Sequence, residues 1–132
     1  MNFYKGTIIE ESLENKEVLK DLRILSTKVE KVDEDHETPW LEQWTLHSVE
    51  IPEEKAKEVA EKISQTLDPN HGGSWYADFK NSSYHYIIFR NRIFHIDRQS
   101  KQQYDEAKEY GLSLGIPESQ LINYRGGYND AV

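Results

Sequence analysis

The chain has no cysteine, which excludes a disulfide framework, a thiolate metal site and a thiol nucleophile. It also lacks any apolar run near the length that spans a bilayer, so no membrane partner is expected. The N-terminal MNFYKGTIIEES has no basic region followed by an apolar stretch, so no secretory leader is expected. The expected compartment is therefore the cytoplasm. Positive charge is scarce as well: 16 Lys and Arg face 24 Asp and Glu, a formal net charge of −8. Phosphate neutralisation needs a basic surface, so general nucleic-acid binding is disfavoured. No HExxH, GxSxG, phosphate-binding glycine loop or dinucleotide fingerprint occurs. Internal repeats, low-complexity runs and linkers are missing too.

What remains is a chain of 132 residues, 36% hydrophobic and 11% aromatic. That composition supports a globular protein, and the length suits one core. A single α+β domain over residues 1–121 is expected, with 122–132 as a loosely held tail.

The stretch WYADFKNSSYHYIIFRNRIFHIDR, from Trp75 to Arg98, organises the rest. It reads as three antiparallel strands, Trp75–Lys80, Tyr84–Arg90 and Arg92–Asp97. Asn81-Ser82-Ser83 is the expected first turn and Asn91-Arg92 the second. That phasing places Phe89 beside Phe94 and Ile87 beside Ile96, with Phe79, Ala77 and Trp75 on the same apolar face. The other face then carries Tyr76, Asp78, Tyr84, Tyr86, Ile88, Arg90, His95 and Asp97.

Upstream, Phe3–Glu10 reads as a strand. Ser12 or Asn15 caps a short helix to Leu22, and Arg23–Lys31 is a second strand. The polar connection VDEDHETPWLEQW is longer than a hairpin needs, a length often tied to function. Trp44–Ile51 is the third strand. Pro52 opens the clearest helix, with Ala56, Val59, Ala60, Ile63 and Leu67 as its apolar stripe. Ser100 and Gln103 form a capping box for a last helix ending near Gly115. The order fits a ferredoxin-like split βαβ sheet with an added hairpin and a C-terminal helix, its helices covering one face. A curved sheet forming a half-open cup around the long helix is the alternative.

The segments TPWLEQWTLHSVEIPE, WYADFKNSSYHYIIFRNRIFHIDR and YGLSLGIPESQ resemble a group of short bacterial and archaeal proteins of unknown function. The resemblance runs to about Leu121 and implies no catalytic residue.

Candidate contact residues are Trp40, Trp44, Tyr76, Asp78, Tyr84, Tyr86, Arg90, His95 and Asp97. Trp40 and Trp44 sit around the long loop and could close a pocket, although tryptophans there more often seal a core. Asp78, Tyr86 and Asp97 fall in one expected cross-strand row, where two carboxylates beside a phenol could move a proton. A plain surface row is the simpler account. His85 is expected as a hydrogen-bonded core or edge histidine. Five scattered histidines without a paired spacing predict no metal site, and no cofactor is expected.

A small binding or regulatory domain is expected, using the aromatic face or the tryptophan loop. Its partner would be a second copy, another protein or a small molecule. The competing readings are a hydrolase or isomerase using Asp78, His95 and Asp97, and an acidic nucleic-acid mimic that blocks a DNA-binding partner.

Overall fold

The structure is a computed structural model that describes residues 3–32, 42–68, 75–116 and 121–122. Its strands are β1 (Phe3–Ile9), β2 (Arg23–Lys31), β3 (Gln43–Pro52), β4 (Tyr76–Lys80), β5 (Tyr84–Phe89) and β6 (Arg92–Asp97). Its helices are α1 (Glu53–Thr66) and α2 (Lys101–Ser113). All six strands form one sheet in the order β2-β3-β1-β4-β5-β6, each neighbouring pair antiparallel. The protein is therefore α+β. Among the described residues no helix is long and apolar enough to cross a membrane.

The helix expected before β2 is instead two 3-10 turns, Glu10–Ser12 and Lys16–Asp21. The backbone between them is tied elsewhere. Leu13 bridges Leu67, and the Glu14 N–H donates to the Thr66 carbonyl at 2.7 Å. Asn15 then starts the second turn, its side chain accepting from the Glu17 N–H. These long-range bonds remove the carbonyls and amides that a continuous helix would need.

The helices lie on opposite faces of the sheet, not on one. The α1 stripe of Ala56, Val59, Ala60 and Ile63, with Leu67 just beyond, is buried against Tyr4, Ile8, Val49, Ile51, Phe79, Tyr86 and Ile88. On the other side, Tyr104 and Ala107 of α2 cover Ile87, Phe89 and Ile96. Glycine at position 6 permits the β1–β4 pairing, because a Cβ there would overlap the Asp78 carbonyl oxygen and Phe79 Cα.

The expectation of one apolar and one open aromatic face fails at a turn. Asn81 pairs with Tyr84 through its N–H at 3.0 Å, and its side chain accepts from the Ser83 and Tyr84 amides. Only Ser82 and Ser83 remain in the loop, so Phe79 lies opposite Tyr86 and Ala77 opposite Ile88. That is one residue from the expected register, and a one-residue slip exchanges the faces. The second turn is Arg90-Asn91, closed by Phe89 opposite Arg92. Asn91 takes the left-handed backbone at φ 61°, which asparagine tolerates. This second slip is by two residues and leaves the faces unchanged.

Candidate functional site

The register sends the expected contact residues to different places. Tyr86 is 8% exposed and Ile88 fully buried beneath α1. Tyr86 packs on Tyr4 at 5.3 Å and Phe79 at 5.2 Å between ring centres. Tyr76 is half-buried on the α2 face, 5.6 Å from the Phe89 ring, and burial pushes its phenol pKa up. Arg90 closes the end of α1, donating to the Leu67 carbonyl at 2.6 Å and to Glu14 at 3.2 Å. Trp44 lies 5.5 Å from Trp75, while Trp40 is outside the described residues. The open face built from Tyr76, Tyr86 and Ile88 does not exist.

The proposed acid row is also split. Asp78 lies opposite Ile87, whereas Tyr86 lies opposite His95 and Asp97 opposite Tyr84. Asp78 therefore points to the α2 side and His95 to the α1 side. Asp97 serves the turn into α2: its Oδ1 accepts from the Gln99 N–H at 2.9 Å. The structure does not bring Asp78, His95 and Asp97 together.

Two other acid–imidazole–hydroxyl rows do form. His85, 2% exposed, lies 2.7 Å from Asp78 Oδ2 through Nε2 and 3.0 Å from Tyr104 Oη through Nδ1. Arg98 also hydrogen-bonds Tyr104, opposing the rise in phenol pKa that burial causes. His47 lies 2.9 Å from Glu10 through Nε2 and 2.9 Å from Thr27 Oγ1 through Nδ1. The bond from His47 holds the Glu10 carboxyl below its usual range. In each row a carboxylate fixes one imidazole nitrogen as donor, so the other can accept from the hydroxyl. In the first row His85 and Tyr104 are buried under α2 while the Asp78 side chain is partly exposed, and the second row spans β2, β3 and the turn at Glu10. Both read as satisfied polar networks. Sequence reasoning found His85 but missed Tyr104, Arg98, Glu10 and Thr27, because these partners are distant in the chain.

Accessible polar groups lie along β6. It is an outer strand of the sheet, and its hydrogen-bonding phase is fixed. The Arg98 N–H donates to the Ser83 carbonyl at 3.1 Å, so even-numbered β6 residues direct their backbone toward β5. Ile93, His95 and Asp97 direct theirs outward. Asp97 is occupied: its N–H donates to Gln103 Oε1 at 2.7 Å, and its carbonyl accepts from Ser100 at 2.9 Å. Ile93 and His95 are left to form the edge.

A groove of about 530 Å³ runs between this edge and α2. Arg92 and Phe94 line its strand side, and Glu106, Glu109 and Tyr110 line its helix side. The Gln103–Asp97 bond ties the start of α2 to the end of β6. At the other end the Arg92 guanidinium lies 4.7 Å from the Phe94 ring centre and 5.5 Å from that of Tyr110. On the opposite side of the strand, His95 stacks on Tyr86 at 4.5 Å and contacts Tyr84 at 4.7 Å. Partial burial lowers the His95 pKa, which favours a neutral ring. Among the described residues no three His, Asp or Glu side chains form a metal-binding group.

Comparison with known proteins finds no match: no family model, no curated protein and no solved structure matches the chain.

Proposed function

We propose that this protein is a non-catalytic binding domain that takes an extended peptide as an added strand on β6. The observation that carries this reading is an outer strand with outward backbone groups at Ile93 and His95, set beside a helix-walled groove. Strand addition draws affinity from main-chain hydrogen bonds and selectivity from pockets for alternate side chains. Here alternate side chains of the peptide would enter the groove over Phe94 and Tyr110. The others would run past His95 and Tyr84, the latter 43% exposed. Glu106 and Glu109 on the groove wall, with the net charge of −8, favour a peptide carrying Lys or Arg.

The sheet framework behind the edge is consistent with a ferredoxin-like split βαβ core. The order β2-β3-β1-β4 supports that reading, as does the packing of Leu13 and Val18 in the same cluster as α1. Helix α2 and the β5–β6 hairpin are then the additions that build the groove.

The test is titration of the ¹⁵N-labelled protein with a short peptide alternating valine and lysine, beside one alternating valine and glutamate. The lysine peptide is expected to shift the Ile93, His95, Glu106 and Tyr110 amides and to bind the more tightly. His95→Pro removes an outward N–H without touching the β5 ladder, so it should weaken binding while the fold persists. Binding of neither peptide, or shifts confined to another surface, would overturn the reading.

A further inference from the structure

The opposite edge of the sheet has a different character. Strand β2 is the other outer strand, and it exposes three large apolar side chains: Ile24 at 41%, Leu25 at 46% and Val29 at 56%. Outer strands ordinarily blunt such an edge with bulges and lysines. β2 has both, a bulge between Ile24 and Ser26 and lysines at 28 and 31, yet it also places Glu30 two residues beyond Lys28. That spacing makes the strand complementary to itself.

We infer that β2 pairs antiparallel with β2 of a second copy of this chain, in a register centred on Val29. The backbone phase allows it. The Val32 N–H donates to the Glu42 carbonyl at 3.0 Å, so even-numbered β2 residues are directed to β3 and Thr27, Val29 and Lys31 outward. A two-fold axis through Val29 sets each Val29 against its equivalent and each Thr27 against Lys31 of the second copy. All of these are outward-directed positions, so each opposed pair exchanges N–H···O bonds, about six bonds in total.

The side chains choose this register over its neighbours. Between the hydrogen-bonded pairs, Lys28 lies directly opposite Glu30 of the second copy, twice across the axis. Such pairs have the closest strand-to-strand approach, and opposite charges there stabilise the pairing. Lys28 already lies 3.5 Å from Glu30 of its own strand, so the dimer closes a ring of alternating charge. Moving the axis to residue 28 sets Lys28 against Lys28. Centring on Thr27 brings the Leu25 bulge into the ladder. Val29 meets its equivalent on the α1 side of the sheet and covers apolar surface that is otherwise in water.

Five residues of paired strand bury less than the roughly 1,200 Å² of a stable interface. The dimer is therefore a weak one, with dissociation in the micromolar range or above. Its geometry leaves both β6 edges at the far ends of a continuous sheet, six strands from each copy. It does not depend on the peptide site.

Sedimentation velocity over a concentration series tests it on the full chain. Wild type should shift reversibly from monomer to dimer. Glu30→Lys places lysine against lysine and should raise the dissociation constant at least tenfold, with thermal melting confirming the fold. The swap of Lys28→Glu with Glu30→Lys restores the opposed pairs and should restore the dimer. A wild type that is monomeric throughout overturns the inference. So does a Glu30→Lys dimer as tight as wild type, or a charge swap that stays monomeric.

Discussion

Phe89 and Tyr86 carry opposite sides of the same strand, and each is sealed. Phe89 is fully buried among Tyr76, Phe94 and Tyr110, and Tyr86 is closed in by Tyr4, Phe79 and His95. Truncation of either leaves a cavity that neighbouring rings cannot fill. Phe89→Ala and Tyr86→Ala should each cost about 3–5 kcal/mol in denaturant melts. A much smaller loss for Tyr86 would contradict its place beneath α1. His95 adds a pH dependence of definite sign. Its native pKa is lowered from 6.5 by partial burial, so the unfolded chain binds the proton more readily. Its contribution is complete above pH 6.5 and is lost as pH falls through the lowered native value. The stability difference between wild type and His95→Gln should therefore change between about pH 7 and pH 5. A constant difference across that range would contradict the assignment.

At the scale of strands and helices, β1 and β4 pair only because residue 6 has no side chain. Gly6→Ala would force Cβ into the β4 backbone. It should cost at least the upper end of the about 1–3 kcal/mol that overpacking usually costs, read as a lowered denaturation midpoint. The sequence made most elements legible because their patterns were strong. The α1 stripe from Ala56 to Leu67 and the capping box at Ser100 and Gln103 led directly to helices. The bounds of Arg23–Lys31 were also read correctly. The faces of the central strands were not legible. β5 is buried on both sides from His85 to Phe89, so it lacks the polar row that would phase it against its neighbours. Its phase rests on whether Asn81 belongs to the turn or to the ladder. The Asn81 side chain caps two amides while its own N–H pairs, and residue preferences do not reveal that. The candidate site inherited the error. Tyr84 and His95 were placed near an accessible surface, but Phe94, Glu106 and Tyr110 were missed, because Phe94 was read as core and both helices were expected on one face, whereas α1 covers the Tyr86 and Ile88 side.

For the whole molecule, the sheet has two ends of different character. At the β2 end, exposed valine and alternating lysine and glutamate suit a like strand. At the β6 end, a helix-walled groove with an acidic rim suits an unlike one. Because the two edges lie at opposite sides of six strands, neither proposed use obstructs the other, and both draw on outward backbone groups. The central claim is that β6 accepts a strand. The most direct measurement is amide hydrogen exchange at Ile93 and His95, in the free protein and with the valine–lysine peptide. The free protein should exchange both amides quickly while Phe94 and Ile96 are protected, and the peptide should slow Ile93 and His95 selectively. Protection of Ile93 and His95 before any peptide is added, or none after it has bound, would contradict the account.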